Sequence, residues 1–539
     1  MKSARKRRYS VLLLALVFAL LSMGMTCQPR SGSRVDLSSP DWTRDAVGYQ
    51  IFVRSFADSN GDGIGDLNGL ISKLDYLNDG KAGGTDLEVN LLYLMPIHPS
   101  PSYHGYDVTD YQAINPQYGS LEDFKRLCKE AHQRGMRVII DWVLNHSSIA
   151  HPWFADESKR DWYIWRDSDP GWTRPWGGGP VWHPQAEHYY YGLFWSGMPD
   201  LNLRQPLTVK AMIEAMHFWS EQGVDGFRVD AARYLIEEES GEQADTHATH
   251  ALAKDLKRHL REVDEDGLWL AEAWTTTEIV ATYAGDNDEF DLAFNFDLAQ
   301  VIPIALMAEE PLEIERCLRR TEQGFSKRGF DAPFLTNHDM DRLRTSLNGA
   351  TGPLRPAMAL LLSLPGTPFL YYGEELGMAN ALSCQGDVCR RAPMAWQAGP
   401  GAGFSSVEPW TAPAEDSATV NVETQAANPD SLLNLTRRMI ALRRQWPAMR
   451  SDERVMLTTD QSAVYAMLRG RGAGSILVLL NFSETEKTST VDLSGVGRTG
   501  EVLKGRDLFD DRELSFPAER SRHMLEELPP YGLRLISFE

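Results

Sequence analysis

The 539-residue sequence has few positive charges for its many acids. Lys and Arg number 54 against 75 Asp and Glu, which leaves a net charge of −21. A surface with this balance repels phosphate backbones, so no nucleic-acid partner is expected and a neutral or cationic substrate is favoured. The chain also lacks internal repeats and long low-complexity segments. With 42% hydrophobic and 24% charged residues, it has the composition of a globular protein.

Long hydrophobic runs are scarce and lie at the amino terminus. A basic start precedes an apolar run over residues 11–25, which is typical of an export signal rather than a spanning helix. We therefore expect an exported protein, secreted or periplasmic, with 1–26 as the signal and 27–41 as a linker. Two alternatives stay open: simple secretion, or a lipoprotein anchored to the membrane through a lipid on Cys27.

Cysteine is also scarce, with five in the chain. Cys384 and Cys389 lie close together in "CQGDVC", and an oxidising compartment favours a disulfide between them. Cys128 and Cys317 have no such neighbour in sequence. They are expected to be buried free thiols.

Short apolar runs alternate with amphipathic segments over most of the chain, as in repeated βα units. Helical segments such as "LEDFKRLCKEAHQRG" lie between most of these runs. The pattern predicts an α/β fold, a (β/α)8 TIM barrel rather than an open doubly wound sheet, with its chemistry at the C-terminal strand ends. The eight expected strands are "VGYQIFV", "LLYLM", "RVIIDWV", "DGFRVD", "LWLAEAW", "FDLAFNF", "APFLTN" and "PFLYYG".

The connection after the third strand is too long for one barrel unit. Residues 146–203 are therefore expected to form an inserted small domain, domain B, that divides the barrel into 42–145 and 204–450. Residues 451–539 alternate in the manner of strands and predict a C-terminal antiparallel β-sandwich. We expect most tryptophans of domain B to form its core and one or two to stack on sugars. They are Trp153, Trp162, Trp165, Trp172, Trp176, Trp182 and Trp195.

The stretch "DSNGDGIGDL", residues 58–67, spaces oxygen-bearing side chains at alternate positions between glycines. Converging oxygens on a tightly curled backbone suit a hard cation, so a calcium loop is predicted. It is not a standard EF-hand, because Gly69 stands where that pattern requires a bidentate glutamate. A solvated turn is the alternative. The candidate ligands are Asp58, Asn60, Asp62, Ile64 and Asp66.

Acidic residues stand at three predicted strand ends: Asp230, Glu272 and Asp339. Any one of them alone would commonly be a helix cap, but the three occur with Arg228 and His338 beside them. Breaking a glycosidic bond with retention needs a carboxylate nucleophile and a protonated carboxyl roughly 5 Å away. Arg228 lies on the same strand face as Asp230 and can hold it ionised. Apolar neighbours can raise the pKa of Glu272.

Five short motifs, in order, resemble the signature regions of the alpha-amylase family of glycoside hydrolases over almost all of the mature sequence. They are "DWVLNH", "MPDLN", "GFRVDAARY", "EAW" and "FLTNHD". "MPDLN" is similar to the group intermediate between oligo-1,6-glucosidases and neopullulanases. The resemblance implies that Asp230 is the nucleophile, Glu272 the general acid/base and Asp339 the carboxylate that stabilises the transition state.

The resemblance also implies a set of sugar contacts. Tyr106 would stack on the first sugar, while Asp107 and Arg342 would contact the hydroxyls of a terminal sugar and close the cleft beyond it. The implied substrate-binding residues are Tyr106, Asp107, His146, Arg228, His338 and Arg342.

For metals, the resemblance implies a structural role for the 58–67 stretch, with Ca²⁺ bound and Mg²⁺ as the alternative. Asn145 resembles a ligand of a different calcium, which ties the barrel to the inserted domain in many amylases. Here Arg233 and Tyr234 replace the "KH" that commonly ends the second region. This departure puts the second calcium in doubt.

The implied activity is retaining hydrolysis of α-1,4 bonds in starch-type glucans and maltooligosaccharides. Ala231 follows the nucleophile where α-1,6-specific relatives usually place Val. An exo-acting α-glucosidase and a glucosyl-transferring relative of the trehalose synthase type are alternatives, since the latter can also carry a tyrosine at the place of Tyr234. A noncatalytic carbohydrate-binding or transporter-associated relative is disfavoured, because such proteins typically lose catalytic carboxylates.

Overall fold

The structure is a computed structural model that describes residues 42–539. It leaves out 82, 239–240, 326–329, 494–495, 497–501, 517–521 and 525–526. The expected signal, the linker and Cys27 therefore lie outside the described residues. Within the described part of the chain, no helix has the length and apolar character needed to cross a membrane.

Eight parallel strands form a nearly closed barrel, which confirms the predicted fold class. Each predicted barrel strand is present. In chain order the strands to residue 371 are β1 (Gly48–Ile51), β2 (Leu91–Leu94), β3 (Arg137–Trp142), β4 (Trp165–Arg166), β5 (Trp182–Gln185), β6 (His188–Tyr191), β7 (Gly226–Val229), β8 (Leu268–Ala271), β9 (Leu292–Phe294), β10 (Asp331–Ala332) and β11 (Phe369–Tyr371). The order around the barrel wall is β10-β9-β8-β7-β3-β2-β1-β11, and a parallel bridge between Phe334 and Phe369 closes it.

Strand periodicity decides which side chains face the barrel interior. On β8, Leu268 and Leu270 belong to the interior apolar cluster, whereas Trp269 and Ala271 pack in the layer between strands and helices. Because successive side chains point to opposite faces, Glu272 continues the inward series at the C-terminal end of the strand. The same rule brings functional side chains of other strands to this end of the barrel.

Helices cover the outside of the barrel. The helix Leu121–Gln133 begins at a capping box formed by Ser120 and Asp123, and it buries one apolar stripe. The α-helices are Leu67–Ser72, Leu74–Leu77, Leu121–Gln133, Pro152–Ala155, Pro206–Glu221, His247–Val263, Thr277–Thr282, Phe296–Ala308, Leu312–Gly324, Leu343–Ser346, Leu354–Ser363, Val422–Ala426, Leu432–Gln445 and Pro447–Arg450. Short 3₁₀ turns lie at Trp42–Asp45, Val53–Ser55, Glu157–Trp162, Ala232–Tyr234, Glu374–Leu376, Gly386–Arg391 and Pro400–Gly403.

The insertion between β3 and the helix Pro206–Glu221 is a small module with a three-stranded antiparallel sheet, ordered β4-β6-β5. Trp182 is buried in its small apolar core. Trp176 and Trp195, by contrast, are 51% and 45% exposed. The tryptophans of this segment therefore divide between core and surface.

The C-terminal region forms two antiparallel sheets, as predicted. Tyr465 and Met467 pack toward the barrel, while Val464 and Ala466 face the second sheet, so both faces of the larger sheet are covered. The larger sheet has the order β12-β13-β14-β19-β16-β17, and β15 pairs with β18. These strands are β12 (Arg454–Met456), β13 (Val464–Arg469), β14 (Ile476–Asn481), β15 (Thr490–Asp492), β16 (Leu503–Asp507), β17 (Glu513–Phe516), β18 (Arg522–Met524) and β19 (Leu533–Phe538).

Candidate active site

Two of the predicted carboxylates directly follow barrel strands. Asp230 comes after β7 and Glu272 after β8, and the strand ladder continues through both. The backbone N–H of Asp230 donates to the Trp142 carbonyl at 3.1 Å, and that of Glu272 donates to the Val229 carbonyl at 3.1 Å. The backbones that carry these side chains are thus held by regular sheet hydrogen bonds, as a preorganised site requires.

Arg228 joins these carboxylates through one guanidinium group. Its Nη1 lies 2.6 Å from Asp141 Oδ1 and 2.8 Å from Asp230 Oδ1, and its Nη2 lies 2.9 Å from Glu272 Oε2. Arg228 is 1% exposed, so water is largely excluded from these charged contacts. Glu272 Oε2 also accepts the Ala231 N–H at 3.0 Å. The arrangement brings Asp230 and Glu272 to one point, as the sequence predicted.

Burial decides the protonation of this pair. It raises the pKa of Asp230 well above its ordinary value; Arg228 opposes the rise, and the nearby acids add to it. Burial also raises the pKa of Glu272, again against Arg228 and with the charge of Asp339 contributing. Acids this close titrate as a unit, so the pair retains a proton to higher pH than isolated carboxyls would. One ionised and one protonated carboxyl is the state that glycosidic cleavage with retention requires.

Asp339 lies in the loop after β10 and has the opposite electrostatic setting. His338 Nε2 and Arg391 Nη2 each lie 3.1 Å from its carboxylate. Desolvation in the cleft works against ionisation, but His338, Arg391 and Arg228 outweigh it and lower the pKa of Asp339. Asp339 is therefore ionised at neutral pH, and its side chain is 38% exposed toward the cleft.

Tyr106 and His338 form a flat platform beside the carboxylates. Their rings stack at a centroid distance of 5.5 Å with an interplanar angle of 11°. The Tyr106 hydroxyl donates to Asp141 at 2.8 Å and lies 2.6 Å from His338 Nε2, while the Gln50 amide lies 2.8 Å from His338 Nδ1. Burial lowers the pKa of His338 to about 3, so its imidazole is neutral. Tyr106 and His338, both expected to contact the first sugar, therefore lie together beside Asp339.

His146 is buried at the start of domain B. Phe194 contacts its ring edge-on at 5.2 Å, and burial lowers the pKa of His146 to about 3. Among the described residues, its Nε2 has no hydrogen-bond partner. A neutral imidazole with one unpaired nitrogen suits the sugar contact expected from the sequence.

Arg342 was expected to contact the hydroxyls of a terminal sugar, but the structure buries its side chain. Arg342 is 1% exposed, and its guanidinium donates to the backbone carbonyls of Tyr372 at 2.8 Å and Arg390 at 3.0 Å. Asp107 is also buried and accepts hydrogen bonds from Ser100 and Ser102. Both side chains are buried against protein partners, so neither is exposed for the contact with a terminal sugar that the resemblance implied.

Arg391, which sequence reasoning missed, lies beside Asp339. Besides Asp339 it contacts Asp387 at 3.1 Å, and its Nε donates to the His338 carbonyl at 3.2 Å. It follows Cys389 in "CRRAPMAW", where a basic pair beside the expected disulfide is the one sequence signal. Asp141, in the quoted motif "DWVLNH", was likewise not assigned a role.

Aromatic side chains stand near the carboxylates. Trp274, two residues after Glu272, is 40% exposed and stacks on Phe296 at 4.7 Å. On the domain B side, Trp176 packs against Tyr234 and Phe194 at 5.6 Å from each. Because Phe194 also touches His146, Trp176 is the domain B tryptophan that fits the expected sugar-stacking role best.

The 58–67 stretch curls through successive side-chain turns. Asp58 accepts backbone N–H groups of Asn60, Gly61 and Gly63, Asn60 accepts that of Asp62, and Asp62 accepts that of Ile64. Burial opposes ionisation of Asp58, yet the hydrogen bonds from Ser405 and these amides lower its pKa.

Asp66 has different hydrogen-bond partners from the other acidic residues of the stretch. It accepts the N–H of Gly69 at the start of a helix and both donors of Ser59. The oxygen donors and tight turns suit a hard cation, but the carboxylates of Asp58, Asp62 and Asp66 do not converge within 4.8 Å of one another. The residue types fit calcium, and the side chains would have to turn inward to bind it.

Asn145, the residue that resembles a ligand of a second calcium, is hydrogen-bonded within the protein. Asn145 Nδ2 donates to Asp200 Oδ2 at 2.8 Å, and Asp200 also accepts the Leu193 N–H at 3.0 Å. Burial raises the pKa of Asp200 well above its ordinary value. Among the described residues, Asn145 Oδ1 is buried and has no hydrogen-bond partner.

The cysteines follow the sequence prediction. Cys384 and Cys389 form a disulfide, and Cys128 and Cys317 are buried free thiols. The disulfide brackets Asp387 and immediately precedes Arg390 and Arg391.

The comparisons with known proteins agree with this geometry. Residues 50–452 match the family model described as alpha amylase, catalytic domain. Alpha-amylase 3 of Dictyoglomus thermophilum is 34% identical over 458 residues, which cover 83% of this chain and 86% of that protein. Trehalose synthase of Thermus thermophilus is 36% identical over 93% of this chain, which spans about half of that protein, 56%.

Among solved structures, the alpha-amylase from H. orenii superposes with a TM-score of 0.81 at 36% identity. The match covers 92% of this chain and 99% of that one. The barrel, the strand-end carboxylates and the family match therefore lead to one conclusion: the chain belongs to the alpha-amylase family of glycoside hydrolases and is an enzyme of the alpha-amylase type.

Proposed function

We propose that the enzyme hydrolyses α-1,4 bonds of starch-type glucans and maltooligosaccharides with retention. The observation that carries the proposal is Arg228, whose two terminal nitrogens bridge Asp230 and Glu272 beneath the cleft. The bridge holds the two carboxyl groups close enough to act on the same sugar. Because their protonation is coupled, one carboxyl is ionised and acts as the base while the other keeps its proton and acts as the acid.

The proposed reaction has two displacements. An ionised oxygen of Asp230 attacks the anomeric carbon while Glu272 passes its proton to the departing glycosidic oxygen, which leaves a glycosyl ester on Asp230. Glu272, now a carboxylate, takes a proton from water, and the water oxygen displaces Asp230 from the sugar. Asp339 and the neutral His338 stabilise the positive charge and hydroxyl positions of the sugar in both transition states.

Specificity for short chains rests on the loop contacts around Asp339. Arg391 contacts Asp339 and Asp387, and the Tyr103 hydroxyl lies 3.5 Å from Arg391 Nη1. Tyr103 in turn stacks on Trp410 at 5.3 Å. These contacts draw three loops together beside the carboxylates and favour binding of a chain end over a long internal segment.

A glucosyl-transferring activity of the trehalose synthase type is the second candidate. The 36% identity with a trehalose synthase over most of this chain favours it, as does Tyr234 in the second motif. Product analysis on soluble starch, maltotriose and maltose separates the two. Shorter maltooligosaccharides and glucose support the hydrolase, whereas conversion of maltose to trehalose without net hydrolysis supports the transferase.

We also propose that Ca²⁺ binds the 58–67 stretch, held by Asp58, Asn60, Asp62, Ile64 and Asp66, with Mg²⁺ as a substitute. The ion would supply structural cross-linking rather than chemistry. The stretch already contacts a distant segment, since Ser405 donates to Asp58 at 2.6 Å and the Trp410 N–H donates to the Gly63 carbonyl at 2.8 Å. Stabilising it would therefore stabilise the loop that carries Trp410 as well.

Finally, we propose that the enzyme works outside the cytoplasm. The Cys384–Cys389 disulfide supports this, because disulfides persist in oxidising compartments. Cell fractionation with mass analysis of the mature amino terminus separates simple secretion from lipidation at Cys27.

A further inference from the structure

Two neighbouring helices of the outer ring bring His217, His259 and Glu262 together. His217 lies near the end of Pro206–Glu221, and the other two lie in the last turns of His247–Val263. Each helix runs back from the C-terminal face of the barrel and ends before the next strand begins. The cluster is therefore near the N-terminal face, opposite the catalytic carboxylates.

The cluster has the composition and proximity of a metal site. Within the described part of the chain, it is the one group of three or more His, Cys, Asp or Glu side chains whose ligand atoms all lie within 4.8 Å. Both histidines are half-buried and Glu262 is exposed, so an ion can enter from solvent. The two imidazole centroids are 6.4 Å apart.

Hydrogen bonds already prepare these side chains for a cation. His217 Nε2 donates to the His259 carbonyl at 3.0 Å, so the neutral ring carries its lone pair on Nδ1. Metal-binding histidines are commonly oriented by such a bond from the other ring nitrogen to a carbonyl. His259 Nδ1 lies 3.0 Å from Glu262 Oε2, and Asp255 lies 4.0 Å from the other nitrogen of His259.

From this geometry we propose that His217, His259 and Glu262 bind one divalent transition-metal ion, with Zn²⁺ as the best match. Tetrahedral zinc has bonds of about 2.0–2.2 Å, which places its ligand atoms roughly 3.3 Å apart. The side chains therefore need to close by no more than about 1.5 Å. Two imidazoles select zinc, cobalt, nickel or copper over calcium, and water completes the coordination.

A bound ion would link two helices that pack side by side. An ion that binds the folded chain and not the separated helices raises stability by mass action. Its effect should appear in stability rather than in turnover, since the site and the catalytic carboxylates lie at opposite ends of the barrel.

Titration of the whole protein with Co²⁺ and Zn²⁺ tests the proposal, with excess Ca²⁺ present to occupy hard-cation sites. Co²⁺ absorption reports ligand geometry, calorimetry reports affinity and stoichiometry, and thermal unfolding reports stability. We expect one tetrahedral Co²⁺ per chain and a rise in melting temperature with Zn²⁺. His217→Gln and Glu262→Gln should each weaken the affinity at least about 10-fold.

His132→Gln is the matched control. His132 is a similarly placed surface histidine that pairs with one carboxylate, Asp225, at 2.7 Å and lies outside the cluster. It should leave Co²⁺ binding and the zinc-dependent melting shift unchanged, while circular dichroism verifies that all variants fold. Wild-type protein without Co²⁺ absorption in the visible, or cluster variants that bind like the wild type, would overturn the proposal.

Discussion

At the scale of single residues, the contact between Arg391 and Asp339 is the feature of the site that the sequence did not predict. Arg342 closely follows the fourth motif in sequence and Arg391 does not, yet the structure shows that Arg391 contacts Asp339 while Arg342 is buried against backbone carbonyls. The difference arises from the path of the loop after β11. That path cannot be predicted from the spacing or the residue types of "NHDMDR".

Arg391→Lys should therefore lower kcat/KM for maltotriose about 10-fold or more and lower that for starch less. Lysine keeps the charge but cannot span both Asp339 and the His338 carbonyl, and a charged hydrogen bond is worth about 1.5–3 kcal/mol. A short substrate has fewer other contacts to compensate. Arg342→Lys serves as the control and should lower the melting temperature without changing the maltotriose-to-starch ratio. If the maltotriose-to-starch ratio of kcat/KM were the same in the two variants, Arg391 would have no part in selecting the substrate.

At the scale of elements, the turn Gly386–Arg391 is held at both ends. The disulfide closes it, the Ala381 N–H donates to the Cys389 carbonyl at 3.0 Å, and Arg390 contacts Asp341 at 3.1 Å. The turn presents Arg391 to Asp339. A fixed conformation of this turn is therefore needed to keep the positive charge of Arg391 beside Asp339.

Reduction of the Cys384–Cys389 disulfide should lower kcat/KM for maltotriose several-fold, mainly through KM, because Arg391 loses its fixed position. The Cys384→Ser/Cys389→Ser variant should reproduce the effect and no longer respond to reductant. Cys128→Ser is the control, since that thiol is buried elsewhere. Steady-state kinetics with and without reductant make the measurement. An unchanged KM after verified reduction would contradict the role given to the turn.

Chelation tests the 58–67 stretch at the same scale. We expect EDTA to lower the melting temperature and Asp62→Ala to abolish that sensitivity, with little change in turnover at low temperature. Asp169→Ala provides the control, because Asp169 forms a similar exposed turn to the Gly171 N–H in domain B. Calorimetry on chelated and Ca²⁺-restored protein makes the comparison. A wild-type protein whose melting temperature ignores prolonged chelation would show a solvated turn instead.

At the scale of the whole molecule, the buried acids make stability depend on pH. Burial raises the pKa of Glu374 to about 8, where the Thr336 hydroxyl donates to its carboxyl at 2.7 Å. At Glu374 the folded chain therefore keeps a proton that the unfolded chain loses between about pH 4.5 and 8. The contribution of Glu374 to the free energy of unfolding falls as pH rises through this window.

Glu374→Gln should flatten this dependence and stabilise the protein at pH 8, because the neutral amide needs no proton. Denaturant unfolding at pH 5 and pH 8 measures the slope. Exposed Glu423→Gln should leave the slope as in the wild type. A slope that Glu374→Gln does not alter would show that Glu374 is ionised in the folded protein.

The architecture could be predicted from sequence because barrel strands alternate and end in recognisable motifs. "RVIIDWV" and "LWLAEAW" gave both a strand and the side chains at its end. In the C-terminal region, the strands β12, β16, β17 and β18 were not predicted, since "RVM", "LKGRD", "ELSF" and "RHM" are short and interrupted by polar residues. The positions of Asp141 and Arg391 required loops and neighbouring strands in three dimensions, which a linear pattern does not specify.

The proposed mechanism depends on a covalent bond between Asp230 and the sugar. In Glu272→Gln the first step is slow for natural glycosides but less so for activated ones, and the second step lacks its base. An activated 5-fluoro α-glucosyl substrate should therefore accumulate as an ester on the enzyme. Intact mass followed by peptide mapping is the most direct measurement. We predict one sugar per chain, on the peptide that contains Asp230, and no label in Asp230→Asn; a label on another residue, or an unlabelled Glu272→Gln enzyme that inverts the released sugar, would contradict the mechanism.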